Sequence, residues 1–150
     1  MRTYTIIMLY TQDMSHVLLV KKQKGPSFNI GKWDGIGCRK EEYESLYGCA
    51  ASEVQRAVKI NPQQDCTVFE HFNTFELAES SLFRAHEAFK FYAYYGRLKE
   101  GVAIELKSAD GGEELKWFES ADLHNHRKEL AGWGRVLAWH ELILARSAGR

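Results

Sequence analysis

The residues best placed to do chemistry lie in one stretch, WDGIGCRKEEYESLYGCAASEVQRAVKI, from Trp33 to Ile60. Glycines at 35 and 37 let the backbone adopt conformations closed to other residues and approach a ligand closely. Glu41, Glu42 and Glu44 follow, just ahead of a helix predicted from about Ser45 to Val58, where the helix dipole favours negative charge. At 100° per residue, Leu46, Cys49, Ala50, Val54, Ala57 and Val58 fall in one apolar arc. Glu53 falls inside that arc. A carboxylate aimed at a core edge is costly unless it is paired or ligates a cation. Its natural partner is Arg56, three residues on and at the edge of the same arc. The pair marks the helix as a candidate site.

A Trp, a G-x-G, an acidic loop and a helix with A-A and then Glu together resemble the Nudix box, G-x5-E-x7-R-E-U-x-E-E-x-G-U, where U is a bulky aliphatic residue. The alignment runs without a gap over residues 38–60. Cys38 stands at the first Gly, Glu44 at the first Glu, Ser52 at the Arg and Glu53 at the next Glu. Val54 is the aliphatic, Arg56 and Ala57 take the paired Glu positions, Lys59 the second Gly and Ile60 the last aliphatic. W33-D-G-I-G is also similar to the W-N-G-x-G-G lead-in of the oxidised-purine triphosphatase branch. E-E-L-K-W-F-E-S-A-D-L, from Glu113 on, resembles the late strand and turn of the family. By element order the similarity runs from residue 4 to about 123. It implies a single domain over 1–150, of α+β (mixed α/β) class: a Nudix-type α/β/α sandwich with a mixed sheet between helices. The last residues, about 146–150, are expected to be a flexible tail.

The same resemblance implies a chemistry and then calls it into question. Nudix hydrolases cleave a nucleoside diphosphate linked to another moiety, with Mg²⁺ or Mn²⁺ neutralising the diphosphate. Such cations take hard oxygen ligands, which the box supplies from one helix face. Of the three helix carboxylates only Glu53 is present here. A guanidinium roughly 5 Å from a divalent cation is repelled by about 6–7 kcal/mol at an effective dielectric of about 20. Arg56 is therefore expected to neutralise Glu53 internally or to clamp a ligand phosphate with its planar donor fork. Ser52 lacks the guanidinium of the family pattern, and Cys38 would be strained if it kept the unusual φ open to Gly. No metal cofactor is expected. Were the protein active, Glu53, Glu44 and Glu114 would be the catalytic carboxylates and Glu53 the metal ligand, with Glu41 and Glu42 as further replacements.

The ligand-binding candidates are then Arg56, Ser52, Cys38, Trp33, Lys22 and Lys24, around a nucleotide-like or otherwise phosphorylated small molecule. Lys21, Lys22 and Lys24 form a charge run beside a Gly-Pro loop that borders the ligand cleft in this fold. Three readings stand: a binder with a degenerate box and little or no hydrolysis, an active pyrophosphohydrolase using replacement carboxylates, and a scaffold that keeps the fold alone. His124-x-His126 has no third ligand at fitting spacing and reads as a solvated turn. His140-Glu141 reads as surface.

Several elements must position these residues. Tyr4–Tyr10 and Val17–Lys21 are rich in β-branched and aliphatic residues and predict a hairpin or adjacent strands. After Asn61-Pro62 the pattern turns β again: Thr67–Leu77, then Ala88–Tyr95, with Phe89, Phe91, Ala93 and Tyr95 on one face. Val102–Leu106 and Leu115–Phe118 read as two more short strands. Leu130, Trp133, Leu137 and Leu144 recur at helical spacing, and Gly132 and Gly134 delay the helix until after them.

Composition bounds the partners. The 150 residues carry 20 basic and 20 acidic side chains, so the net charge is zero and a dedicated nucleic-acid surface is not expected. No run approaches the length of a membrane span, and the start is unlike a signal peptide. Cys38, Cys49 and Cys66 cannot all pair and none sits in a C-x-x-C, so free thiols and a cytoplasmic location are expected. A homodimer is left open.

Overall fold

The computed structural model describes residues 2–23, 29–77, 88–106, 113–132 and 134–148. Lys24 and Trp133, named above, lie outside them.

The strands are β1 (Arg2–Tyr10), β2 (His16–Lys21), β3 (Trp33–Asp34), β4 (Ile36–Arg39), β5 (Cys66–Leu77), β6 (Phe89–Leu98) and β7 (Leu115–Glu119). The helices are α1 (Leu46–Val58), the single turn α2 (Pro62–Asp65) and α3 (Arg135–Ala148), with a 3-10 segment at Ser120–Glu129. All seven strands join one sheet, ordered β3-β2-β1-β6-β5, with β4 also pairing β1 and β7 pairing β2. β1 runs antiparallel to β2 and β4 and parallel to β6 over its whole length, so the sheet is mixed. β1 pairs β2 only at Leu9 and Tyr10, and β4 takes over beside Tyr4–Ile7.

Strand parity divides the core into two layers. Ile7 and Leu9 of β1, Leu18 and Val20 of β2 and Tyr94 of β6 face α1, where they meet Ala50, Val54, Ala57 and Val58. Met8, Tyr10, Val17, Leu19 and Tyr95 face the other way, onto Leu123, Val136 and Ile143. Ile6, Phe89, Phe91 and Ala93 extend that second layer against Trp139 of α3. The result is the expected α/β/α sandwich. No helix among the described residues is long and apolar enough to cross a membrane.

Local chemistry sets the bounds of α1. Ser45 is its N-cap, extended at φ −73° and ψ 156°, with its hydroxyl accepting from the Gly48 N–H at 3.0 Å. The helix closes at Lys59, which adopts the left-handed conformation at φ 61° and donates its N–H to the Gln55 carbonyl. Asn61 then caps α2, accepting from the Gln63 N–H while Asp65 accepts from the Asn61 N–H.

Five expectations are corrected. The stretch around Gly35 and Gly37, whose glycines suggest a turn, is two short strands, β3 and β4, flanking Gly35, where a Cβ would lie 2.6 Å from the Ile7 carbonyl oxygen. Glycine is what lets this backbone close on β1. Cys38 consequently lies in β4 opposite Thr5, and is not among the non-glycine residues of positive φ, which among the described residues are Met14 and Lys59. Val102–Leu106 is not a strand: Val102 and Ile104 do pack against the α1-side core, but the segment leaves a turn at Gly101 (φ 84°) and pairs with no described strand. Finally, α3 continues to Ala148, so residues 146–148 are helical rather than tail, and its His140 is buried.

Candidate functional site

A shallow cleft, about 270 Å³ and open to solvent, lies where α1, β2, β4 and the start of β7 meet. Glu53, Arg56 and Ala57 of α1, Gly37 of β4, Val20 and Leu115 line it, together with Glu113 just ahead of β7. Positions 53, 56 and 57 share this wall because i, i+3 and i+4 stack on one face of a helix.

Glu53 is the buried member, its side chain 8% exposed, whereas the Arg56 side chain is 46% exposed. The guanidinium grips the carboxylate with two donors, Nε to Oε2 at 3.1 Å and Nη2 to Oε1. This is the pairing that helical spacing predicts, and it gives the inward carboxylate its counter-charge. Lys22, which is not in the cleft lining, follows β2, its amide donating to the Lys32 carbonyl. Its ammonium sits 3.1 Å from where a Gly37 Cβ would be, so the space left by that glycine holds the Lys22 head.

The other candidates are placed elsewhere. Ser52 is exposed and is not in the cleft lining. Trp33 belongs to the core on the α3 side, edge-on to Phe118 at 5.3 Å between ring centroids. Glu44 stays in the loop before α1, where its carboxylate accepts from the Glu41 N–H at 2.9 Å. Cys38 adjoins Gly37, but its sulfur turns toward Cys49 of α1, 3.3 Å away. Glu114 is exposed, and its neighbour Glu113 lines the cleft instead. Strand parity is the signal that finds Glu113, since it shares a side with the inward Leu115. His126, read from sequence as part of a solvated turn, instead lies in the 3-10 segment, half-buried edge-on to Phe118 and between Asp122 (3.3 Å) and Glu129 (2.7 Å).

Behind the cleft are two polar constellations that sequence reasoning missed. Asp34 and Arg135, with side chains 1% and 3% exposed, form a buried two-point ion pair at 3.2 and 2.5 Å. Asp34 also accepts from the Gly35 N–H, and the guanidinium lies over the Trp139 ring at 4.6 Å. His140 is 3% exposed; its Nε2 is 3.0 Å from the Ser120 carbonyl and its Nδ1 2.7 Å from the Tyr10 hydroxyl. The carbonyl can only accept, so Nε2–H donates to it and the Tyr10 hydroxyl donates to Nδ1. Burial holds His140 below the usual imidazole range and pushes the Tyr10 phenol up.

No family model and no curated protein matches the chain. Solved structures do. The Escherichia coli dihydroneopterin triphosphate pyrophosphohydrolase superimposes with a TM-score of 0.67 at 18% identity, covering 95% of both chains. The Nudix domain of Shewanella oneidensis NrtR, solved with ADP ribose, gives 0.63 at 17% identity over 96% of this chain and 86% of that one. A bifunctional NMN adenylyltransferase/ADP ribose pyrophosphatase from Francisella tularensis, with AMP and a manganese ion, gives 0.69 at 13% identity over 98% of this chain and 41% of that one. The chain has the Nudix fold.

Proposed function

We propose that the cleft binds a nucleotide-like molecule through its phosphates, with little or no hydrolysis. One observation carries the reading: on the cleft wall of α1 the counter-charge to Glu53 is a guanidinium of the same helix. A hard divalent cation needs several oxygen ligands. Here the helix offers one carboxylate, already accepting from Arg56, beside a positive charge that repels the ion. This donor set does not fit Mg²⁺ or Mn²⁺, and no catalytic step is drawn through a metal.

The same residues suit an anion. Arg56 presents a half-exposed planar fork on the cleft wall, and the Lys22 ammonium lies beside Gly37, which lines the cleft without a side chain. The cleft is shallow, and the Lys22 head beside Gly37 must move for a ligand phosphate to reach that glycine. That structural neighbours hold ADP ribose and AMP supports the ligand class.

Calorimetry with ADP-ribose and with nucleoside triphosphates, with and without Mg²⁺, tests the reading. Binding should be unchanged by Mg²⁺, and Arg56→Ala or Lys22→Ala should each weaken it roughly tenfold, the effect of one charge-assisted contact. No AMP or phosphate should be released. Mg²⁺-dependent turnover would establish a hydrolase with replacement carboxylates, and Glu113→Gln would then show whether Glu113 is one of them. No binding of any phosphorylated probe would point to the scaffold.

A further inference from the structure

Cys38 of β4 and Cys49 of α1 meet behind the cleft with their sulfurs 3.3 Å apart, although neither belongs to a C-x-x-C motif. The Thr5 hydroxyl bridges them, 3.4 Å from the Cys49 sulfur and 3.8 Å from that of Cys38. Three elements thus converge: β1 supplies Thr5, its partner across the ladder is Cys38, and α1 lays Cys49 over both. Cys49 is 1% exposed while Cys38 is partly open.

We propose that Cys38 and Cys49 are a redox pair which a peroxide-class oxidant converts to an intramolecular disulfide, tying β4 to α1. The intervening segment carries Glu41, Glu42 and Glu44, so the bond would fasten both ends of the acidic loop. Closing from 3.3 Å to a disulfide's length of about 2.05 Å asks for a side-chain adjustment rather than rebuilding. The thiols support the chemistry. A hydrogen bond from Cys38, aided by Thr5, lowers the Cys49 thiol to about 7, and its sharing, together with burial, pushes Cys38 up. The pair therefore ionises once readily, leaving one proton between two sulfurs.

The steps balance. Cys49 is the more acidic thiol but is buried, so the shared proton first passes along the 3.3 Å contact onto the Cys49 sulfur. The accessible Cys38 thiolate then attacks one peroxide oxygen and the O–O bond breaks. Cys38 becomes a sulfenic acid, and the departing hydroxide takes a solvent proton to leave as water. The Cys49 sulfur, giving up its proton, then attacks the Cys38 sulfur and expels hydroxide, which leaves as a second water. Two thiols lose two electrons and the peroxide gains them. A dithiol reductant reverses the bond by exchange.

Cys66 is the internal control: it is buried among other residues, and burial pushes its thiol up to about 11. The folded, reduced protein is treated with hydrogen peroxide, quenched, denatured and titrated for thiols. Free thiols should fall from three to one, with a mass loss of two hydrogens and a Cys38–Cys49 cross-linked peptide under non-reducing conditions. Cys66→Ser should keep that cross-link, and Cys38→Ser should leave Cys49 and Cys66 as thiols. The oxidised protein should melt about 5–10 °C higher, as a closed loop of this size implies, and amide exchange should slow across residues 40–48. Retention of all three thiols by the folded wild-type protein would overturn the proposal. So would over-oxidation of Cys38 beside a reduced Cys49, or a cross-link between two chains. These outcomes are read on the wild-type chain and do not depend on any variant folding.

Discussion

Arg56 is the most consequential residue on the cleft because it decides what Glu53 can do. With the Glu53 side chain 8% exposed and Arg56 46% exposed, the pair is buried on one side and screened on the other. Arg56→Ala strands the carboxylate and should cost about 1–3 kcal/mol in urea unfolding, below the cost of breaking a fully buried pair. Adding Glu53→Gln should recover most of that loss, since it removes the stranded charge. A double variant no more stable than Arg56→Ala would mean that the carboxylate finds another partner. Lys59 stands at the second glycine of the box pattern and holds φ 61° at the end of α1. A left-handed non-glycine residue stores about 1 kcal/mol or more, of which glycine's greater freedom in the unfolded chain returns part. Lys59→Gly should therefore stabilise the protein by about 0.5–1 kcal/mol, and Lys59→Val should destabilise it, both seen as shifts in the denaturant midpoint.

At the scale of elements, what could be read from sequence was what periodicity controls. Glu53 and Arg56 were legible because 3.6-residue spacing fixes their directions on α1 whatever else the chain does. The two faces of β6 followed from parity in the same way. The Asp34–Arg135 pair was not legible, because its partners are 101 residues apart and only the sheet topology joins them. The resemblance pointed to Glu114, whereas Glu113, which the sequence reading did not single out, lines the cleft. His140 looked like surface beside an exposed Glu141, but α3 lays it on Tyr10 of the central strand. These buried contacts make predictions of their own. Arg135→Met leaves Asp34 as a buried charge and should cost about 3–5 kcal/mol by thermal or chemical unfolding. His140 is held neutral by burial, so its folded pKa lies below the ordinary imidazole value of about 6.5. The unfolded chain then binds the extra proton first, and stability must fall as pH drops through and below about 6.5. Unfolding free energies measured between pH 5 and 7.5 should show a steeper acid-side loss for the wild type than for His140→Gln. Parallel curves would mean that His140 protonates equally well when folded.

At the scale of the whole molecule, the sandwich is complete while α1 brings a single carboxylate to its cleft wall. Both core layers are closed, β1 is buried on both faces, and α1 presents the cleft wall at 53, 56 and 57. Fold and metal chemistry are largely separable here because Ala50, Val54 and Val58 hold α1 in the core, with Ala57 alone of the cleft-facing positions shared between core and cleft. The chain should therefore tolerate rebuilding of the cleft. Arg56→Glu combined with Ala57→Glu adds two carboxylates beside Glu53 on one helix face. Without metal, crowded like charges should lower Tm by several degrees relative to the native protein, because each charge raises the cost of ionising its neighbours. Millimolar Mg²⁺ or Mn²⁺ should then raise the Tm of the double variant with a logarithmic dependence on metal concentration, as binding to the folded state alone requires. The native protein should show no such dependence. A native Tm that climbs with Mg²⁺ as steeply as the variant's would mean that the cleft already binds the cation despite Arg56. The metal-free reading of the site would then fail while the fold stood.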